Sequence, residues 1–113
     1  MQKVSSKVST INIEVGLDDK NIPEQIHWEA TDAEAGKHQS ASMLLALWNP
    51  KEKTSMRIDL WTKDMTIPEM NIFLFQTLLG LSDTLERATQ NKTAASDLRQ
   101  FAKSFFEKVQ NTG

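Results

Sequence analysis

Cysteine is absent from this chain of 113 residues, and glycine occurs only four times. Without cysteine the chain can form no disulfide, no thiolate metal site and no acylated lipoprotein anchor. The glycines are isolated from one another, so they cannot form the glycine-rich loop that cradles phosphate groups. The sequence therefore gives no support to a nucleotide-binding protein or to a cysteine-based zinc protein.

Excess positive charge and long apolar runs are also missing. The formal net charge is −2 and the pI is about 5.6, whereas nucleic-acid-binding proteins carry clustered positive charge. The longest apolar run, residues 43–48, is too short to cross a bilayer, and the first residues lack the apolar core of a secretory signal. We therefore expect one domain over residues 1–113, without a transmembrane segment or a nucleic-acid partner. We expect it in the cytoplasm, either free or peripheral to the inner membrane.

Alternating apolar residues predict two strands near the N-terminus. After a flexible lead-in over residues 1–7, the apolar side chains that follow Val8 settle into every second position, at residues 11, 13, 15 and 17. A turn over residues 17–24 follows, and the alternation resumes at residues 26–30. Two strands this close in sequence are expected to pair as an antiparallel hairpin.

The middle of the chain predicts a second hairpin. Residues 32–40 are small and polar, which indicates an exposed loop in which His38 has no recognisable partner. The apolar run over residues 43–48 fits either a buried strand, which would extend over residues 42–48, or a turn of helix. A turn cluster at residues 49–53 and an alternating segment at residues 56–62 favour the strand, because a hairpin then explains both sides of the turn.

After the second hairpin the apolar residues change to a helical period. Thr66 and Glu69 have the spacing of a capping box at the start of a long helix. Gly80 interrupts that helix and is expected to let another backbone approach closely. Thr93 is expected to cap a second helix, which a polar tail over residues 110–113 follows.

The apolar surface of the first helix is broader than a single stripe. Ile72, Phe75 and Leu79 lie beside the main row rather than in it. Such residues are most often part of a core. If they remain exposed in the monomer, we expect the protein to form a homo-oligomer or to bind a partner protein.

The economical architecture is an α+β fold of order ββββαα. Four strands form one antiparallel sheet, and the two C-terminal helices pack on one face of it, because each element has an apolar side to bury. The other face is left in water, as antiparallel sheets allow. That outer face is expected to carry eight residues: Thr10, Asn12, Glu14, His27, Glu29, Arg57, Asp59 and Trp61.

Five residues of the outer face form the candidate interaction surface: His27, Glu29, Arg57, Asp59 and Trp61. A histidine and a carboxylate can serve acid–base chemistry, although solvated strand residues are the simpler interpretation of His27 and Glu29. Arg57 and Asp59 either recognise a charged group of a partner or form cross-strand ion pairs with Glu14, Glu29 or His27, and the ion pairs are favoured. No metal-ligand spacing or catalytic motif accompanies them, so we expect no metal, no cofactor and no catalytic residue.

The three tryptophans have different expected roles. Trp28 has the same phase as Ile26, which predicts burial in the core, and Trp48 ends a predicted strand and is expected to cap the edge of the core. Trp61 has the phase of the polar residues. It either folds over the edge of the sheet or anchors a contact with another protein, as tryptophan often does at interfaces.

The segment RIDLWTKDM, residues 57–65, resembles the signature of the gliding-motility protein GldC family. Other blocks agree with the same family in order along the chain, so that the resemblance covers about residues 10–108. The chain departs from the family in its N-terminal extension and in the loop at residues 33–40. The agreeing blocks are residues 22–24, 26–28, 43–45 with Trp48, 76–78, 83–84 and 87–89.

This resemblance implies a small, soluble accessory protein of bacterial gliding motility in the Bacteroidetes. It implies no enzymatic activity, no cofactor and no particular site residues. It also implies protein partners in the motility and type IX secretion machinery. The first hypothesis is therefore a non-enzymatic protein-interaction module. The second is a chaperone-like binder of exported polypeptides, since SecB also has a sheet followed by two C-terminal helices. The third is an enzyme or small-ligand binder that uses His27 and Glu29.

Overall fold

A computed structural model describes residues 5–112 of the chain, with side chains as far as residue 110. Antiparallel strands come first and two helices follow, which confirms the α+β class. The chain divides into two compact units, one ending at Met65 and the other beginning at Thr66. Of the predicted lead-in and tail, residues 1–4 and 113 lie outside the described part, while residues 110–112 continue the second helix.

The first unit begins with a three-stranded antiparallel sheet of β1 (Ile11–Leu17), β2 (Pro23–Ala30) and β3 (His38–Ser40), in the order β1-β2-β3. The predicted pairing of the first two strands is confirmed, with Ile13 opposite Trp28. The alternation does not become a strand until Ile11, three residues after Val8.

A two-stranded sheet follows, made of β4 (Ser42–Asn49) and β5 (Thr54–Trp61). This confirms the predicted second hairpin and excludes the helical alternative for β4. Asn49 closes the turn, because its side-chain oxygen accepts hydrogen bonds from the backbone amides of Lys51 and Glu52 at 3.0 and 3.2 Å. Lys53 completes the turn with a left-handed backbone (φ 56°).

The prediction of one four-stranded sheet is wrong, because the predicted loop contains β3 and the chain bends at Ala41 between β3 and β4. Contacts of Trp28 account for the extra strand. Its indole nitrogen donates to the Ser40 hydroxyl at 3.1 Å, and its ring centroid is 4.6 Å from that of His38. The His38 Nε2 atom also lies 3.0 Å from the carbonyl oxygen of Glu34. The expectation that His38 has no partner is therefore wrong as well.

One backbone hydrogen bond joins the two sheets of the first unit near this bend. The amide of Thr62, just after β5, donates to the carbonyl of Ala41 at 2.8 Å and so extends the β4–β5 pairing by one residue. The amide of Lys63 donates to the carbonyl of Pro23, the first residue of β2, at 3.2 Å. The end of the hairpin is therefore fastened to the start of the three-stranded sheet.

The register of β4 and β5 gives the hairpin one entirely apolar face. Residues directly opposite each other in an antiparallel pair point to the same side. Ile26 in β2 is the only large apolar side chain of the described residues that is fully buried, at 1% exposure. Half of the apolar hairpin face is exposed: Leu47, Met56 and Ile58 are open to solvent, and Met43, Leu45 and Leu60 are half-buried.

The second unit is a helical hairpin of α1 (Ile67–Thr89) and α2 (Lys92–Thr112). The predicted capping box at the start of α1 is confirmed. The Glu69 carboxylate accepts from the Thr66 amide at 3.0 Å, and the Glu69 amide donates to the Thr66 hydroxyl at 3.3 Å. The hydrogen bond from the Thr66 amide holds the pKa of Glu69 below its usual value.

The connection between the helices needs only Gln90 and Asn91. Gln90 ends α1 in a left-handed conformation (φ 62°), and its amide donates to the carbonyl of Glu86. The Asn91 side chain then accepts from the amide of Ala94 at 3.0 Å, which makes Asn91 the cap of α2. The prediction that Thr93 caps this helix is wrong, because Asn91 offers its acceptor two residues earlier.

Small side chains are buried where the two helices pack. Ala95 and Ala102 of α2 and Ser82 of α1 are completely buried, which permits close approach of the helices. Phe75 stacks on Phe106, with ring centroids 4.3 Å apart and an interplanar angle of 13°. The predicted position of Phe75 beside the main stripe is therefore a packing position in the helical hairpin. The predicted packing of these helices on one face of the sheet stays a prediction.

Gly80 has a different environment from the one predicted. A Cβ atom built on this residue would have no neighbour within 4 Å, so no backbone approaches it and that expectation is wrong. Gly36 differs from Gly80 in its backbone conformation. A Cβ atom at Gly36 would also have no neighbour within 4 Å, but Gly36 has a positive φ of 98°.

We expect Gly80→Ala to stabilise α1 by about 1 kcal/mol, because alanine loses less backbone entropy in a helix than glycine does. Gly36→Ala should instead destabilise the first unit, since alanine is strained at positive φ. Urea unfolding followed by circular dichroism at 222 nm tests the first variant. Tryptophan fluorescence tests the second, because all three tryptophans precede Met65. A destabilised Gly80→Ala would contradict the open environment of this position.

Candidate functional site

One face of the β4–β5 hairpin carries three of the five predicted surface residues. The register places Trp61 opposite Ser42, Asp59 opposite Leu44 and Arg57 opposite Ala46. Trp61 is 57% exposed. The strand alternation therefore positions an accessible indole and two charged groups on one side, as the sequence predicted.

Arg57 and Asp59 form an ion pair with each other. The guanidinium donates twice, from Nε to Oδ2 and from Nη2 to Oδ1, each at 3.0 Å. The predicted cross-strand ion pairs with Glu14, Glu29 or His27 are wrong, because Arg57 and Asp59 pair with each other and the strand opposite them carries the uncharged Ala46 and Leu44. The pair is solvent-accessible, with side-chain exposures of 52% and 36%.

An exposed pair of this kind contributes at most about 1 kcal/mol to stability. Its more important effect is on geometry. The two bonds hold the planar guanidinium in one orientation. Its remaining N–H groups are left available for a further acceptor.

His27 and Glu29 lie on the three-stranded sheet rather than on the hairpin. His27 is opposite Glu14, Glu29 is opposite Asn12, and both are half-buried. Lys37 pairs with Glu14 at 2.9 Å, and this hydrogen bond and charge lower the pKa of Glu14, to which His27 adds a smaller effect.

The structure therefore brings the five predicted residues together in two groups. Among the described residues, no hydrogen bond or ion pair connects the His27 and Glu29 group with Arg57, Asp59 or Trp61. A shallow depression does border Glu29, but His27 is not part of its lining.

Trp48 belongs to the same hairpin face as Trp61, and sequence reasoning missed it. It lies opposite Ser55 and is 63% exposed, so its predicted role as a cap on the edge of the core is wrong. Because all residues from 43 to 48 are apolar, no alternation shows which face of the strand Trp48 belongs to. A period-two count forward from Ser42, which pairs with Trp61, reaches Trp48 and would have found it. Trp28, predicted to be in the core, is half-buried and hydrogen-bonded.

Lys63 connects the segment after β5 with the turn between β1 and β2. Its ammonium group lies 3.1 Å from carboxylate oxygens of both Asp18 and Glu24. Asp18 also closes its own turn by accepting from the amides of Lys20 and Ile22 at 2.8 and 3.0 Å. The hydrogen bond from Ile22, followed by that from Lys63, holds the pKa of Asp18 below its usual value.

The described residues contain no group of three or more histidine, cysteine or acidic side chains that could hold a metal ion. Within the same part of the chain, neither helix has the length and hydropathy of a membrane span.

Comparison with known families identifies a match to a family model. The family model described as gliding motility-associated protein GldC-like matches residues 23–111. The match includes β2 to β5 and almost all of α1 and α2, and it includes the RIDLWTKDM segment. It begins after β1, so the part of the predicted resemblance that precedes residue 23 is outside it. No curated protein and no solved structure matches the chain.

We expect Asp18→Asn to reduce the loss of stability of the first unit in acid. A carboxylate whose pKa is lowered in the folded state stabilises the protein above its ordinary pKa of about 4. That stabilisation is lost as the pH falls through the lowered pKa. Asparagine can keep accepting the two turn hydrogen bonds but cannot lose a charge. The urea midpoint, followed by tryptophan fluorescence between pH 7 and pH 2, should therefore fall less in the variant than in the wild type.

Asp19→Asn is the matched control, because it removes the same charge from an exposed neighbouring residue for which no ion pair is found among the described residues. Its urea midpoint should follow the wild-type dependence on pH. Identical acid sensitivity of Asp18→Asn and the wild type would show that the contacts of Asp18 do not stabilise the fold.

Proposed function

Because this chain belongs to the GldC-like family of gliding motility-associated proteins, we propose that it is a non-enzymatic accessory protein of bacterial gliding motility. It acts by binding a protein partner within the motility and type IX secretion machinery. The binding surface is the outer face of the β4–β5 hairpin. Trp61, Arg57 and Asp59 form the centre of that surface.

The observation that carries this proposal is the exposure of Trp61 beside an ordered charge pair. Large aromatic side chains are normally buried or half-buried, and tryptophan and arginine are the residues that most often dominate binding energy at interfaces. Trp61 is 57% exposed. Its indole offers a partner a broad apolar contact, and the Arg57–Asp59 pair offers a polar contact whose geometry is set before binding.

His27 and Glu29 form a separate polar patch on the three-stranded sheet. They contribute to partner recognition only if the partner contacts both sheets. The cytoplasmic location and the association with the inner membrane that the sequence suggests remain predictions.

A chaperone-like role in binding exported polypeptides is the second candidate. The exposed half of the apolar hairpin face favours it, since Leu47, Met56 and Ile58 are 59%, 67% and 50% exposed. Contiguous apolar surface of this kind can bind unfolded chains. The topological analogy with SecB no longer supports the idea, because it assumed a single four-stranded sheet.

We expect the double variant Trp61→Ala with Arg57→Ala to stay folded and to lose most partner capture and colony spreading. The side chains lie on an exposed surface, so their removal should affect binding far more than stability. Affinity capture from gliding cells, quantified by mass spectrometry for the wild type and the variant, measures the loss. Spreading on agar measures the effect on motility.

Phe101→Ala is the matched control, because Phe101 is a comparably exposed aromatic residue, at 55%, on α2. It should capture the same proteins as the wild type. A folded double variant with unchanged capture and unchanged spreading would refute the assigned surface. Calorimetry with several unfolded polypeptides distinguishes the second candidate, which requires measurable heats of binding.

A further inference from the structure

The outer edge of β5, on the side away from β4, has no partner strand among the described residues. β5 pairs with β4 alone in a sheet of two strands, and every residue of β5 except Leu60 is exposed. A two-stranded sheet is only marginally stable by itself in water, and an open edge presents a row of unpaired N–H and C=O groups. The outer edge of β5 is therefore a place where another strand can add.

The hydrogen bonds of the hairpin identify the backbone groups that point to this outer edge. The amide of Thr62 donates to the carbonyl of Ala41, which makes that pair a hydrogen-bonded position of the β4–β5 ladder. Hydrogen-bonded and non-hydrogen-bonded positions alternate along an antiparallel ladder. The residues of β5 at the non-hydrogen-bonded positions therefore point their N–H and C=O groups away from β4, and they are Ser55, Arg57, Asp59 and Trp61.

The other strands of the first unit offer less suitable edges. β3 has only three residues, the first half of β4 is half-buried, and β1 has a register shift between Gly16 and Leu17. Short edge strands and bulges are features that hinder the addition of a further strand. β5 has eight residues, a regular register with β4, and neither proline nor glycine. The long and regular free edge of this unit is therefore the outer edge of β5.

The charges of β5 are complementary to those of a second copy of the same strand. If two copies pair antiparallel about a two-fold axis at Ile58, Arg57 of each copy lies opposite Asp59 of the other. Within one copy the guanidinium and the carboxylate lie on the same face, 3.0 Å apart. The remaining N–H groups of Arg57 can therefore donate to the second carboxylate. Four groups of alternating charge then surround the axis.

The apolar residues of β5 match in the same register. Ile58 lies opposite Ile58 of the other copy, and Met56 lies opposite Leu60. Met56 and Ile58 are 67% and 50% exposed in one copy. The pairing gives each of these exposed side chains an apolar neighbour.

The same two charges oppose the neighbouring registers. Residues whose backbone groups point outward must face each other across the new ladder, so the two-fold axis can move only from one residue of β5 to the next. An axis at Arg57 places the two arginines opposite each other, and an axis at Asp59 places the two aspartates opposite each other. Like charges directly opposite each other destabilise a sheet. The axis at Ile58 is therefore the favoured one.

We propose that the protein forms a symmetric dimer in which the outer edge of β5 pairs with that of a second copy, with the two-fold axis at Ile58. The two hairpins then make one four-stranded antiparallel sheet. In its outer face each Ser55 lies between Trp48 of its own chain and Trp61 of the other copy. This inference goes beyond the proposed function and does not depend on it, because the pairing needs no protein of the motility machinery.

Sedimentation equilibrium of the full chain, from micromolar to millimolar concentration, tests the dimer. We expect the mass to rise with concentration to twice that of the 12.8 kDa chain. Arg57→Asp gives the edge two acidic side chains, and Asp59→Arg gives it two basic ones. Each variant alone should dimerise at least about tenfold more weakly than the wild type, because like charges then lie opposite each other.

A mixture of these two variants separates pairing between copies from effects within one chain. In the mixed dimer an acidic edge meets a basic edge, so opposite charges again lie across the axis. The mixture should dimerise with an affinity within about threefold of the wild type. A role of the Arg57–Asp59 pair within one chain predicts no such rescue, because neither variant contains the pair.

Amide hydrogen exchange, measured by NMR, tests the register. The amides of Arg57 and Asp59 should exchange at least about tenfold more slowly in the wild-type dimer than in either single variant. The amides of Ile58 and Leu60 bond to β4 and show that the hairpin stays folded in each variant.

Lys103→Asp and Glu107→Arg are the matched controls, since they make the same changes of charge at exposed positions of α2. Each should dimerise like the wild type.

Three results would overturn the proposal. They are a wild type that stays monomeric at millimolar concentration, a mixture that dimerises no better than its two components, and equal exchange of the Arg57 and Asp59 amides in the wild type and the single variants. The partner-binding surface around Trp61 is tested separately by cell capture. A monomeric protein whose capture depends on Trp61 would remove the dimer and leave the proposed function standing. A dimer whose capture is independent of Trp61 would do the opposite.

Discussion

The hydrogen bond from the amide of Lys63 to the carbonyl of Pro23 is the constraint on which the first unit depends, because it joins the segment after β5 to the first residue of β2. It fastens the end of the hairpin to the start of the three-stranded sheet. The side-chain bridge of Lys63 to Asp18 and Glu24 strengthens the same junction. The amide of Thr62, which donates to the carbonyl of Ala41, continues the β4–β5 pairing up to this point.

The two units hold their folds in different ways. The helical hairpin has a capping box, a two-residue connection and buried small residues between its helices. Over residues 5–65, the first unit has only one fully buried large apolar side chain, Ile26. An isolated two-stranded hairpin is marginally stable in water, and exposed apolar area of the kind seen at Met56 and Ile58 commonly marks a contact surface. These properties agree with the protein-binding role proposed above.

Sequence patterns within short segments were sufficient to predict most of the secondary structure. The capping box of Thr66 and Glu69 operates over three residues, and the pairing of each hairpin follows from two alternating segments joined by a short turn. Trp61 was also correctly placed on the face that carries Arg57 and Asp59. The errors arose where an alternative partner was near in space. Asn91, and not Thr93, caps α2. Arg57 pairs with Asp59 because the residues opposite them on β4 are uncharged.

The sequence by itself determined the α+β class, the two helices, both hairpins and the family, because these depend on periodicity and on motifs that are contiguous along the chain. The tertiary structure alone decided that His38 and Ser40 join a strand, since the indole of Trp28 that contacts them is ten or more residues away. It also decided that the sheet divides at Ala41 and that His27 lies apart from Trp61. Such outcomes depend on which distant groups meet, and a pattern read along one strand contains no information about that.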